Sequence, residues 1–284
     1  MILVTGAAGK TGGHVIGALT ARNLQVRGLV RQANQAESIT AFGAKEVIVG
    51  DMRDAQVLRA ACSGARAVYH IAPNMSPDEL TIGQAIIDAC KWAGVRRFVY
   101  HSVLHPQVED MPHHWLKMRV EEALFKSGLT FTILQPAAYM QNLLGYRDGI
   151  LERGVYAVPY SVDSRQSLVD LRDVAAVAAR VLDEPGHEHA IYELVSPDAP
   201  SAREIAALVS AHIGKPVRAE QVDRKDWEMQ TRVGGMLDYA VETLLKMFIY
   251  YECNNFVGNP NVLSWLLGRP PRRFEQFLQD TFVC

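Results

Sequence analysis

Residues 1–19 read MILVTGAAGKTGGHVIGAL: a short apolar run, a cluster of glycines, and an apolar stretch at helical spacing. Gly6, Gly9 and Gly12 follow the run directly and open the helical stretch, with Lys10 and Thr11 inside the same turn. Between a strand and a helix, such glycines let backbone N–H groups and a helix N-terminus come up against a pyrophosphate. The competing reading is a tight turn that holds no ligand. A glycine triplet alone would not decide between them; its place between the first strand and first helix of a βαβ unit favours the phosphate.

Outward from this turn, β-branched runs alternate with helical patterns. MILVT (1–5), QVRGLV (25–30), KEVIVG (45–50), RAVYHIA (66–72), RRFVYHS (96–102) and LTFTILQ (129–135) read as strands. GGHVIGALTAR, DAQVLRAACSG, TIGQAIIDACKWAG and WLKMRVEEALFKSG read as helices, several of them closing on a glycine. Alternation of this kind predicts a doubly wound α/β fold, a Rossmann-type parallel sheet covered on both faces. After Pro136 the rhythm changes. A short strand and helix over 168–184 and a strand at 190–196 are expected to return to the sheet, as part of a segment of about 165–196. Helices are expected around SAREIAALVSAHIG, YAVETLLKMFIYYE and RRFEQFLQDTF, with a strand at VRAEQV. The expected organisation is a dinucleotide-binding domain over 1–150 and a smaller, mostly helical substrate part over 151–284, packed against the sheet's carboxyl edge. The aromatic cluster MFIYYE reads as core or as cleft lining.

Composition narrows the function classes. A chain of 284 residues with 49% hydrophobic and 21% charged residues can bury a substantial core. A net charge of -2 lacks the basic excess of a dedicated nucleic-acid binder. No apolar run is long enough to span a bilayer, and the first residues do not read as a secretory signal. Cys62, Cys90, Cys253 and Cys284 are scattered and contain no C-x-x-C, so a reduced, cytoplasmic setting is expected. HEH at 187–189 follows Pro185-Gly186 in a loop without further ligands, and no metal site is expected.

The ends of strands two to four would meet a dinucleotide. An acidic residue ending strand two accepts from the free ribose hydroxyl of NAD, whereas an arginine accommodates the 2′-phosphate of NADP. Here the strand ends GLVRQ, with Arg31 in that place, which favours NADP(H). Asp51, with Met52 beside it, ends strand three, where its carboxylate can accept from the adenine amino group or cap a turn. Ile71, Ala72 and Pro73 end strand four and are expected to run beside the cofactor.

With these residues in place, the chain resembles the NmrA-like family of atypical short-chain dehydrogenases/reductases. The G-x-x-G-x-x-G spacing points to that superfamily, and the resemblance extends through GLVR, VIVGDMRD, FVYHSVLH, EEALFKSGLTFTILQPAAYMQN and LLGRPPRRFEQFL. The family includes type 2 quinone oxidoreductases, triphenylmethane reductases and isoflavone-reductase-like enzymes, as well as NADP-sensing regulators that do no chemistry. In the wider superfamily a Tyr-x-x-x-Lys pair carries catalysis. This sequence has His113-His114-Trp115-Leu116-Lys117, so the lysine remains and the tyrosine is replaced.

The resemblance implies that Lys117 clamps the nicotinamide ribose; the alternative is an exposed pair with Glu121. His113 or His114 could supply a proton near neutral pH, or only cap or pack. Ser102 stands where the superfamily places a substrate-orienting serine. Pro136, Tyr139 and Asn142 match the segment that folds over the nicotinamide, and Tyr139 is an alternative acid. Asp170 and Asp173 read as structural, at the start of a helix.

Three functions follow as expectations. The first is an NADPH-dependent reductase of a small conjugated or aromatic electrophile (a quinone, dye or imine), held in a cleft walled by Tyr139, Trp115 and the C-terminal aromatics. The second is a redox sensor that binds NADP(H) without turnover. The third, a nucleotide-sugar epimerase, needs the missing tyrosine. A monomer or homodimer acting on a small molecule is expected, with no nucleic-acid or membrane partner.

Overall fold

Short runs of β-branched and aromatic residues form the strands of a seven-stranded sheet. The computed structural model describes residues 1–282. The sheet contains β1 (Ile2–Val4), β2 (Val26–Val30), β3 (Glu46–Val49), β4 (Ala67–His70), β5 (Arg97–His101), β6 (Phe131–Pro136) and β10 (Ala190–Leu194). Four short strands make two smaller pairings: β7 (Ala138–Tyr139) with β9 (Leu168–Val169), and β8 (Val155–Val158) with β11 (Arg218–Gln221).

The order across the large sheet is β10-β6-β5-β4-β1-β2-β3. The chain steps outward from β1 through β2 to β3, then restarts on the other side of β1 with β4. Registers are parallel throughout the central pairs, with Val4 opposite both Gly28 and Tyr69, and His70 opposite Tyr100. The carboxyl ends therefore share one edge, and the β1/β4 junction is the switch point where open α/β sheets bind ligands.

The helices are α1 (Lys10–Ala21), α2 (Ala36–Ala41), α3 (Ala55–Cys62), α4 (Glu79–Ala93), α5 (Pro112–Ser127), α6 (Arg147–Arg153), α7 (Leu171–Asp183), α8 (Ala202–Ile213), α9 (Arg224–Val233), α10 (Asp238–Cys253), α11 (Asn261–Leu267) and α12 (Phe274–Thr281). Their starts follow local chemistry. Asp54 caps α3 by accepting from the Gln56 amide, Pro112 occupies the first position of α5, and Ser201 and Glu204 form a reciprocal capping box on α8.

Two compact units are present. The first comprises Met1–Gln107, His113–Gln135 and Arg172–Tyr192; the second comprises Val108–Pro112, Pro136–Leu171 and the chain from Glu193 onward. The first unit is thus left after Gln135, ahead of the expected boundary at 150, and is re-entered at Arg172. Its core packs Leu3, Leu58, Val68, Ile86, Phe98, Val120, Leu124 and Ile133 between sheet and helices. Each such side chain contributes about 1.5–3 kcal/mol on burial. Cys62 and Cys90 sit in this core as free thiols with their sulfurs 3.8 Å apart.

The second unit has its own core of Met140, Ile150, Tyr156, Val158, Ile205, Val209, Phe274 and Phe277. MFIYYE lies on α10, where Phe248 and Tyr251 are buried and ring contacts join them to Tyr160, Trp227 and Phe256. Ile249 on the same helix is half exposed. Among the described residues, no helix is long and apolar enough to cross a membrane. In the loop before β10, His187 lies 3.1 Å from the Tyr192 hydroxyl, and no metal-holding cluster of His, Cys, Asp or Glu occurs among the described residues.

Candidate active site

The turn after β1 is built by two glycines for two different reasons. Gly6 has φ of +58°, and a Cβ there would stand 2.8 Å from the Ile71 carbonyl oxygen. A Cβ on Gly12 would stand 2.5 Å from the Gly6 carbonyl oxygen, so the first turn of α1 lies flat against the loop. The neighbouring strand ends are tied together by Thr5, whose hydroxyl donates to the Ile71 carbonyl (3.1 Å) and accepts from the Ile71 amide (2.9 Å). Gly9 caps α1 without any side-chain hydrogen bond, and no acidic residue lies in the first turn. The turn therefore offers backbone donors and a positive helix end without a competing anion of its own, which fits a dinucleotide pyrophosphate. Lys10 is exposed on this turn and Thr11 is buried beneath it.

Arg31 follows β2 and is exposed. Its backbone amide donates to Gln35 (3.1 Å), and its guanidinium has no ion pair among the described residues. Asp51 follows β3 and is committed differently. It accepts from the Arg53 amide (2.9 Å) and from the Arg53 guanidinium at 3.1 and 2.6 Å. Those bonds hold its carboxyl down at about 2. Met52 packs partly against the core. Beyond β4, Ile71 is partly buried, Ala72 buried and Pro73 exposed.

Lys117 lies on α5 and is 5% exposed. Its ammonium donates to Glu79 Oε1 at 3.0 Å and to the His101 carbonyl at 3.3 Å, and sits 5.4 Å from the centre of the Tyr100 ring. Two of its three N–H groups are thereby used. The exposed pair with Glu121 does not form. Glu121 is itself buried, accepting from Gln135 Nε2 at 3.0 Å and from the Ser102 hydroxyl, while burial pushes its carboxyl upward. The single proton of Ser102 is therefore directed into the protein.

Glu79, which sequence reading did not single out, is wholly buried at the first position of α4. It accepts from the Tyr100 hydroxyl at 2.7 Å as well as from Lys117, and its second oxygen has no partner among the described residues. Burial, and then Glu79, push the Tyr100 phenol upward.

Both histidines of the α5 start are buried. His114 Nδ1 is 2.9 Å from the Leu104 carbonyl and pins the loop after β5; burial brings its pKa down to about 4. His113 is held well below its ordinary value, first by burial and then by the Lys117 charge. His101, 2.7 Å from the Tyr69 hydroxyl, and His70, 2.9 Å from Thr5 Oγ1, are each brought down to about 3 by burial and by Lys117. This group of imidazoles is neutral at pH 7.

In the second unit, Pro136 is buried, Tyr139 is half-buried on β7 opposite Val169, and Asn142 is exposed. Asp170 accepts from Gln141 Nε2 at 3.0 Å, and Gln141 accepts in turn from the Leu171 amide at 3.1 Å at the start of α7.

Known proteins match this chain over nearly their whole length. An NAD(P)H azoreductase of Xenophilus azovorans is 32% identical over 279 residues, covering 98% of this chain and 96% of that protein. Quinone oxidoreductase 2 of Escherichia coli (strain K12) is 28% identical over 284 residues, covering 99% of each. A crystal structure of an NADPH-dependent quinone oxidoreductase from Escherichia coli, complexed with NADPH, superposes with a TM-score of 0.87 at 27% identity over all of both chains. The model of the NmrA-like family matches residues 1–275, and the chain belongs to that family.

Proposed function

We propose that this protein is an NADPH-dependent reductase of small conjugated electrophiles, quinones and azo or related dyes being the nearest class. The observation that carries the reading is the uncapped glycine turn at the β1/β4 switch point, with the exposed Arg31, which forms no ion pair among the described residues, at the end of the next strand. Backbone amides of the turn hold the pyrophosphate, with Lys10 and Thr11 beside it. Arg31 receives the 2′-phosphate. Asp51 and Met52 border the adenine, and Ile71, Ala72 and Pro73 run along the cofactor. The third N–H of Lys117 is assigned to the nicotinamide ribose. The cofactor supplies a hydride, and one NADPH with one proton converts a quinone to a hydroquinone and NADP.

The chain's own residues fit an acceptor that needs little acid. His113 stands at the tyrosine position but is neutral, so it donates a hydrogen bond to developing charge rather than a proton. Ser102, its proton given to Glu121, orients groups by accepting. Azo and quinone acceptors reach anions delocalised over their conjugated systems, so the proton follows from solvent. Tyr139 is the alternative donor, and Tyr139 and Asn142, after Pro136, are assigned contacts to the nicotinamide or substrate.

Fluorescence titration with NADPH and NADH, followed by oxidation of NADPH with p-quinones, tests the reading. NADPH is expected to bind at least about tenfold more tightly than NADH, and Arg31→Ala to remove most of that difference. Equal affinities in the wild type would refute the Arg31 assignment. Tight binding without oxidation across a panel of quinones and azo dyes would instead assign the redox-sensor role.

A further inference from the structure

We propose that Glu79 is a positioning residue for Lys117: a buried counter-ion that fixes the ammonium between α4, α5 and β5 with one N–H left for the cofactor. The inference rests on the reductase reading above and adds to it the residue on which the lysine depends.

A carboxylate in the first turn of a helix is favourable through the helix dipole, but that benefit requires no burial. Glu79 is 0% exposed, and its charge meets a lysine from a different helix, 38 residues away, at 3.0 Å. Taking two ions out of water is costly, and an apolar pair of similar volume commonly serves a fold as well or better. The fold therefore gains little from this pair.

What the pair supplies is direction. Oε1 of Glu79 receives two donors, the Lys117 ammonium and the Tyr100 hydroxyl, while the His101 carbonyl takes a second ammonium N–H. These three contacts come from α4 and β5 and place the nitrogen at the carboxyl end of β5, against the face of Tyr100. An ammonium on a flexible four-carbon stem would otherwise sample many positions. The remaining charged or titratable neighbours do not replace Glu79. Glu121 is held by Ser102 and Gln135, while His70, His101, His113 and His114 are neutral.

The test is a double-mutant cycle read by NADPH fluorescence, with thermal unfolding measured on each variant. Glu79→Gln keeps the shape and an acceptor oxygen and removes the charge; it is expected to weaken NADPH binding about tenfold. Glu79→Asp, which keeps the charge, should recover part of that loss. In a Lys117→Met background, Glu79→Gln should change the NADPH affinity by less than about twofold, because its effect passes through the lysine. Wild-type affinity in the Glu79→Gln single variant would overturn the proposal. So would a further tenfold loss in the Lys117→Met background, on the scale of an independent contribution.

Should Glu79→Gln alone fail to fold, Glu79→Asp, which keeps the charge and shortens its reach, decides instead: a loss of NADPH affinity that vanishes in the Lys117→Met background supports the proposal, and wild-type affinity overturns it. A wild-type protein that binds no NADPH would remove the cofactor reading and this inference together. A wild type that binds, beside an unaffected Glu79→Gln, would remove this inference alone.

Discussion

The two ends of the carboxyl edge in the first unit handle charge in opposite ways. Beyond β2 and β3, Arg31 stands in solvent, and the Asp51–Arg53 pair has side chains 38% and 61% exposed. Beside β5, the Lys117–Glu79 pair has side chains 7% and 0% exposed, with imidazoles around it that burial keeps neutral. Water and salt screen the first group, so its charges can reorganise around an arriving phosphate at little cost. Water screens the second group little, so each charge there must be matched in place before a ligand arrives. Under the function proposed above, the first end captures a charged ligand and the second holds a fixed geometry.

The largest expected effect breaks the buried end. Lys117→Met removes the proposed ribose donor and leaves Glu79 without its counter-ion. We expect kcat/KM for quinone reduction to fall about 100-fold, from loss of a charged hydrogen bond in a dry site. Stability should drop by about 3 kcal/mol in urea titration, the scale for stranding one member of a buried pair. An unchanged urea midpoint would mean that the pair is already broken in solution.

The neutral histidines sharpen the contrast through pH. A histidine whose pKa is depressed in the fold binds a proton more readily when unfolded. Its contribution to stability is therefore complete above the unfolded value near 6.5 and is lost as pH falls toward the folded value. For His70 and His101 the folded values are about 3, and for His114 about 4; His113 is shifted the same way. Each adds up to about 1.4 kcal/mol of destabilisation per pH unit across that window. Glu121, raised by burial, opposes them as a single group. Urea midpoints should therefore be flat from pH 8 to about 7 and fall steeply from about pH 6 to 4. Replacing His114 by Gln should make that slope shallower; an identical slope would show His114 to be protonated in the fold.

The smallest effect lies at the exposed end. Asp51→Asn removes a solvent-exposed ion pair and should alter NADPH affinity by no more than about threefold, measured by the same titration. A larger loss would show that the carboxylate leaves Arg53 to meet the adenine.

Much of the fold was legible because its signals are local. Strand runs at 25–30, 45–50 and 96–102 became β2, β3 and β5 within a residue or two at each end. The places of the glycine turn between β1 and α1, and of Arg31 just past β2, could be read because each is fixed by its own position along the backbone. Less visible was α9, whose residues RKDWEMQTRV include none that is fully buried and whose half-buried face is mostly polar, so no apolar period is generated. β8, only four residues long, acquires its identity from pairing with β11 more than 60 residues later in the chain.

The sequence by itself determined the doubly wound class, the glycine turn between the first strand and first helix, the arginine that ends the second strand and the loss of the tyrosine before Lys117. Each is a matter of which residue follows which along one short stretch. Only the tertiary structure decided what Lys117 touches. Glu79, Tyr100 and His101 come from a helix and a strand remote from it in the chain, and the sheet's parallel crossovers alone bring them together. The reason is that desolvation, which sets charge, partner and protonation at that end of the site, is a property of the packed surroundings and has no counterpart in the order of residues.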